Sequence, residues 1–314
     1  MAGRVIVVGS VNVDYLLQVE RLPAPGETVV GEELSRAAGG KGANAAAAAA
    51  ALGAETTLIA AIGRDEDGER SARELEAVGV RCDALQQLDA ATGAAMVLTD
   101  AGGENLIAVA SGANRLLDPA LAREALAQRA GPDTVVLVNF EVPDAVVTAV
   151  AEQAAEQRLT LVVDPAPARR MAAELVSACA LITPNQHELG SLGFASAADL
   201  VAAGAGAVAV TLGDEGCLLH PGSAKPKRLP PYRVPVVDSV GAGDAFAAGA
   251  SVGLAEGLGV EPAVTLGCAA GALACTGAGA RGGGLNRARA EALVSRARAA
   301  APRRDPARGG RAAP

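Results

Sequence analysis

Aromatic residues are nearly missing: two Tyr, three Phe and no Trp, 2% of 314 residues. The core must therefore be built from Ala, Val and Leu, which favours close helix–sheet packing over large aromatic plugs. The same scarcity excludes the stacking platforms that hold single-stranded nucleic acid. Lysine is rare too, at positions 41, 225 and 227, and the only histidines are His187 and His220. The five cysteines (82, 179, 217, 268, 275) form no CxxC pair. Neither a zinc cluster nor a disulfide framework is expected, and a reducing, cytoplasmic setting is. Long apolar runs are absent as well. The opening stretch has a four-residue apolar run that meets Asn12 and Asp14, and reads as a strand rather than a signal peptide. The Ala-rich stretch 43–52 is too short to span a bilayer, and 245–280 is broken by Glu256, Glu261, Pro262 and many glycines, so no membrane partner is expected.

Half of the residues are apolar, enough for a sizeable core, which excludes disorder for most of the chain. A net charge of −8 argues against a nucleic-acid partner. One region runs the other way: from Arg281 onward there are nine Arg (281, 287, 289, 296, 298, 303, 304, 308, 311) against Glu291 and Asp305. This is either a polyanion-binding tail or a solvated helix face followed by a frayed end. The Pro/Gly interruptions and the lack of lysine favour the second, with 301–314 as a basic, disordered tail.

Brief Val/Leu/Ile runs at Arg4–Val8, Thr57–Ile62, Val135–Asn139, Thr160–Asp164, Ala180–Thr183 and Ala207–Leu212 suit strands buried on both faces. Helical patterns at Asp65–Ala77, Pro119–Gln128, Asp144–Gln157 and Ala197–Ala203 lie between them. The alternation predicts an α/β fold with a mostly parallel central sheet flanked by helices. Two stretches break the rhythm, Asn12–Arg36 and Gly93–Ala110, which alternate polar and apolar residues around turn signals and read as antiparallel ribbons. The length allows about two domains or one large α/β domain, and inserted ribbons commonly form a lid or a dimer edge. The segment Gly243–Thr276 reads as helical and rich in small residues.

No GxxxxGK[ST] loop is present: Lys41 follows Gly40 but precedes Gly42. A GxGxxG string at Gly277–Gly282 follows an Ala-rich helix instead of a strand, the wrong context for dinucleotide binding. Two constellations carry more. Asp238-Ser-Val-Gly241-Ala242-Gly243-Asp244 directly precedes a helical stretch, and small residues there leave free backbone N–H groups for an anion. Asp244 in the first turn could accept a proton beside that anion, the pairing that phosphoryl transfer to an alcohol needs; alternatively it merely complements the helix dipole. The second constellation combines Asn12 and Asp14 with Gly39-Gly40-Lys41-Gly42-Ala43-Asn44. These groups could hydrogen-bond several hydroxyls of a small ligand, or could be turn chemistry with Asn44 as a helix cap.

With these motifs the chain resembles the ribokinase-type (phosphofructokinase-B-type) carbohydrate kinase family. The match runs in order through GSVNVD (9–14), PAPGETV (23–29), GGKGAN (39–44), Glu141-Val-Pro143, DPAPA (164–168), TPNQHE (183–188), TLGDEG (211–216) and DSVGAGD (238–244). The resemblance implies a kinase using ATP, Mg²⁺ and K⁺, with D-ribose as acceptor. It implies sugar binding by Asn12, Asp14, Gly39, Gly40, Lys41, Asn44 and Glu141, and Asp244 as base. The backbone of Gly241, Ala242 and Gly243 would form the anion hole. ATP would meet Asn185, Thr211, Leu212, Gly213, Asp214, Glu215, Gly216, Gly243, Asp244 and Cys268. Glu188 would organise Mg²⁺ through water. Asp238, Val240, Ala274, Gly277, Gly279 and Gly283 would hold the monovalent cation. The motifs span 9–281 in one order, which with the resemblance implies one domain over 1–300, both ribbons forming a small antiparallel β-lid. The lid implies a homodimer. Two positions depart from the family pattern: Gly283 stands where a Ser is usual among the cation ligands, and Cys268 where His or Asn is frequent near the adenine. Alternative acceptors are deoxyribose, fructose, ketodeoxygluconate and adenosine. A non-catalytic sugar-binding regulator is a further alternative, which would be expected to have lost the base or the anion hole.

Overall fold

The computed structural model describes residues 3–102, 104–222 and 224–300. The expected basic tail, 301–314, lies outside the described residues.

The main sheet has nine strands. They are β1 (Arg4–Val8), β4 (Glu55–Gly63), β5 (Val80–Leu88), β8 (Thr134–Asn139), β9 (Thr160–Asp164), β10 (Leu181–Ile182), β11 (Ala207–Thr211), β12 (Cys217–Pro221) and β13 (Lys227–Leu229). Their order is β13-β12-β11-β10-β9-β8-β1-β4-β5, parallel except for β12 and β13. Helices cover both faces: α1 (Lys41–Ala51), α2 (Glu66–Ala77), α3 (Pro119–Arg129), α4 (Asp144–Glu156), α5 (Ala173–Ala178), α6 (Gln186–Ser191), α7 (Ala197–Ala202), α8 (Ala242–Ala255), α9 (Val260–Ala274) and α10 (Arg287–Ala300).

Strand alternation sends β1 side chains to opposite layers. Val5 and Val7 join the Ala-rich faces of α1, α8 and α9, whereas Ile6 and Val8 join α3, α4 and α7. With few aromatics available, the first layer is packed from Ala247, Ala248, Ala250, Ala269 and Ala270, all fully buried.

The two ribbons form a second, four-stranded sheet of β2 (Asn12–Val19), β3 (Gly31–Gly39), β6 (Gly93–Thr99) and β7 (Asn105–Ala110), in the order β3-β2-β6-β7. Each ribbon is antiparallel as expected, and β2 and β6 join them in parallel. Asn12 and Asp14 therefore belong to this sheet and do not simply trail β1. The position of Asn44 also differs from a cap. Gly40 caps α1, and Asn44 lies one turn inside it, its backbone N–H donating to the Gly40 carbonyl at 2.9 Å. No helix among the described residues is long and apolar enough to cross a membrane.

Candidate active site

The strand order reverses at β1, between β8 and β4, and ligand crevices form beside the carboxyl ends of strands at such a point. The candidate residues gather there. Glu141 follows β8, Asp164 ends β9, Asn185 follows β10 and Thr211 ends β11. The starts of α1 and α8 close the same crevice. Both caps are glycines at positive φ, 86° for Gly40 and 76° for Gly241, a backbone region that other residues reach only with strain.

Asp244 is the centre of the polar cluster. It is buried in the first turn of α8, and its Oδ2 accepts from Asn44 Nδ2 at 2.9 Å. Lys41 Nζ stands 3.7 Å from its Oδ1. Burial pushes the Lys41 ammonium down, but the carboxylates of Asp244, Asp164, Glu141 and Glu188 outweigh this and hold it above its ordinary range, firmly charged. Glu141 ties the crevice walls together: its Oε2 accepts from the Lys41 backbone N–H at 3.1 Å and from the Ser10 hydroxyl. Burial raises the Asp14 carboxyl, Glu141 and Asp244 raise it further, and only Arg281 opposes them. Asn12 is buried, and its Oδ1 accepts from Asn114 Nδ2 at 2.8 Å.

At the start of α8, no side chain caps the helix. Of the three expected anion-hole donors, the Ala242 N–H turns onto the Ser239 carbonyl at 3.2 Å, which leaves the N–H groups of Gly241 and Gly243. Beside them opens a cavity of about 570 Å³, lined by Thr211, Gly213, Asp214, Gly216, Gly243 and Cys268 of the expected nucleotide set, together with Tyr232, Val236 and Phe246. Leu212 and Glu215 are not among its lining residues. Leu212 packs toward the α3–α4 layer, and Glu215 ion-pairs with Arg228. Asn185 caps α6 through a reciprocal pair of hydrogen bonds with Glu188, each 2.8 Å, and bridges to Thr211. A second cavity, about 470 Å³, lies at the amino ends of β8 and β9 and holds none of the candidate residues.

The metal expectations divide. Glu188 and the buried Asp164, whose carboxyl is pushed well up by burial, supply hard oxygen donors beside Lys41 and Asp244. No hydrogen bond engages the Asp164 side chain among the described residues. These two carboxylates fit a divalent ion. Among the described residues no group of three His, Cys, Asp or Glu side chains could hold a metal, so these two would leave most of its coordination to other oxygen ligands. The monovalent site fits poorly. Both Asp238 oxygens are engaged, Oδ1 by the Val240 N–H at 3.0 Å and Oδ2 by the Gly279 N–H at 2.8 Å. Position 283 offers no side-chain oxygen, and a Cβ there would lie 2.0 Å from the Leu273 carbonyl oxygen and 2.6 Å from that of Ala274. The turn has closed over the space that a Ser side chain would need. Gly277 is pressed onto Gly282 in the same way.

Four contributors stand outside the site residues expected from the sequence: Ser10 and Asp164, although both lie in motifs of the family resemblance, and Asn114 and Arg281, which lie in none of those motifs. The arginine belongs to the basic run by composition, yet its Nε donates to Asn44 Oδ1 at 3.1 Å. Its position inside a Gly-rich turn was the one available signal.

Comparison with known proteins bears on the family and the fold. The profile of the pfkB family carbohydrate kinases matches residues 2–286. The Bacillus subtilis ribokinase is 34% identical over 292 residues, covering 93% of this chain and 99% of the relative. Among solved structures, Thermotoga maritima ribokinase superposes with a TM-score of 0.83 at 30% identity, over 93% of this chain and 99% of that one. Arabidopsis thaliana ribokinase, solved in complex with ribose and ATP, gives 0.82 at 29% identity, over 94% and 99%. The fold, the crevice at the strand ends and these matches lead to one conclusion: the chain belongs to the pfkB family of carbohydrate kinases.

Proposed function

We propose that the protein transfers the γ-phosphoryl group of ATP to the primary hydroxyl of D-ribose, giving D-ribose 5-phosphate and ADP. The observation that carries this reading is Asp244: a buried carboxylate held by Asn44 and Lys41 at the start of α8, which no side chain caps. Asn12, Asp14, Lys41, Asn44 and Glu141 offer amide, carboxylate and ammonium groups in one crevice, which suits a small molecule made largely of hydroxyls. The adenosine part of ATP fits the cavity between Thr211–Gly216 and α9, with Cys268 on its wall.

An alcohol is a weak acid, so Asp244 need not deprotonate it beforehand. The proton moves to the carboxylate as the oxygen attacks phosphorus and the bond to ADP breaks. Charge on the transferring group falls to the N–H groups of Gly241 and Gly243 and to the helix dipole of α8. Glu188 and Asp164 are the carboxylates that would hold a Mg²⁺ ion, which would supply neutralisation of phosphate charge. The second sheet, joined to the crevice through Asn12, Asp14 and Gly39, acts as a lid that excludes water during transfer. Its exposed apolar side chains support a homodimer formed through it.

A nucleoside acceptor is disfavoured by the one aromatic of the lid strands. The Tyr15 hydroxyl donates to Asp67 at 2.5 Å and its ring lies under the Arg36 guanidinium, so it is not free to stack on a base. Phosphorylation assays with ribose, deoxyribose, fructose, ketodeoxygluconate and adenosine test the assignment. The highest kcat/KM is expected with ribose. Turnover of another acceptor in preference to ribose would replace it, and ribose binding without any turnover would favour a regulator.

A further inference from the structure

Arg281 starts the arginine-rich part of the chain, but it does not share the solvated face of α10. It leaves the Gly-rich turn between α9 and α10 and reaches across to the start of α1. Its Nε–H donates to Asn44 Oδ1 at 3.1 Å and its Nη2 group to the Gly39 carbonyl at 3.4 Å. Asn44 in turn donates its Nδ2–H to Asp244 Oδ2 at 2.9 Å. A side-chain amide has one accepting end and one donating end. If Asn44 flipped, its NH₂ would face the guanidinium and its oxygen would face the carboxylate, two repulsive contacts in place of two hydrogen bonds. Arg281 thus holds Asn44 from the end opposite Asp244, and the two together fix which end of the amide meets the carboxylate. The turn is held from its other side as well, since the Gly279 N–H is bound by Asp238.

We propose that Arg281 is a positioning residue for phosphoryl transfer: acting through the Asn44 amide, it aims a hydrogen bond at Asp244, and through Gly39 it fixes the loop that binds the sugar. The proposal rests on the reading of Asp244 as the base. The charged groups that act on Arg281 are Glu74 on α2, Asp14 on β2 and Asp244 on α8, and those that act on Asp14 are Glu141 after β8, Arg281 and Asp244. Arg281 is the positive charge that opposes the upward push on the Asp14 carboxyl. Its removal therefore has a pH signature besides a rate effect.

The test compares wild type, Arg281→Ala, Arg281→Lys, Asn44→Ala and the Arg281→Ala/Asn44→Ala double variant with ribose and ATP. Arg281→Ala should lower kcat by about 10- to 100-fold, the scale of a misaligned catalytic group. At pH 8 the loss in this variant should fall mainly on kcat, with a smaller rise in ribose KM from the loosened Gly39 loop. At lower pH its kcat/KM should fail earlier than in wild type, as Asp14 takes up a proton at higher pH. If the arginine works through the amide, Arg281→Ala should cost little more in the Asn44→Ala background. Should Arg281→Ala not fold, Arg281→Lys decides: it keeps the charge but not the two-point fork, so a reduced kcat with an unmoved acid limb is expected. Wild-type kcat in Arg281→Ala or Arg281→Lys, or fully additive losses in the double variant, would overturn the proposal. Absence of ribose turnover by the wild type would instead overturn the reading of the site on which it rests.

Discussion

Asp14 is the residue whose ionisation should set the acid side of sugar recognition. Burial raises its carboxyl above the ordinary 3.8, and Glu141 and Asp244 add to the rise. A carboxylate accepts hydroxyl hydrogen bonds fully only when charged, so affinity for the sugar is complete above the raised pKa and is lost as pH falls through it. kcat/KM for ribose should therefore show an acid limb above 3.8. Asp14→Asn should remove that limb and raise KM by about 10- to 100-fold, the loss of a charge-assisted hydrogen bond. A pH profile of both proteins checks this, and an unchanged limb in Asp14→Asn would assign it elsewhere. Lys41, Asn44 and Asp244 were legible because each stands in a short motif whose chemistry can be argued locally. Arg281 was not, because its partner Asn44 lies 237 residues away and only its place in a Gly-rich turn sets it apart from the arginines that follow.

At the scale of elements, the start of α8 and the turn after α9 act as one piece, pinned where Asp238 accepts from Gly279. Its carboxylate is engaged and Gly283 is pressed onto the carbonyls behind it, which leaves no room for a side-chain ligand at that position. Exchanging Na⁺ for K⁺ at constant ionic strength should leave the ribose phosphorylation rate unchanged. A clear rise with K⁺ would mean that the turn opens to admit the ion. Strand legibility followed burial. β1 and β9 have the expected bounds, Arg4–Val8 and Thr160–Asp164, because an interior parallel strand is apolar on both faces. β5, VRCDALQQL, is an edge strand with polar residues exposed along it and shows no such run. β12 and β13 are short, carry His220, Lys227 and Arg228, and were hidden for the same reason.

At the scale of the whole molecule, α1 and α8 begin 201 positions apart, and the parallel sheet brings both starts to one crevice. The motif order anticipated this convergence, but not which side chains would touch. The second sheet has a further consequence. All of β7 is exposed, with Leu106, Ile107 and Val109 more than half accessible, as are Val30 and Leu34 toward the other edge. Such a patch on an edge strand invites a second copy. Light scattering after gel filtration should give twice the chain mass, and Ile107→Asp should shift the protein toward monomer; a monomeric wild type at assay concentration would refute the dimer. The central claim is that the crevice is a phosphoryl-transfer site with Asp244 as its base. Steady-state ribose phosphorylation by Asp244→Asn, with ribose binding followed by calorimetry, tests it most directly. kcat should fall by about 10²- to 10⁴-fold while ribose still binds. A variant that keeps more than about a tenth of wild-type kcat would contradict the assignment.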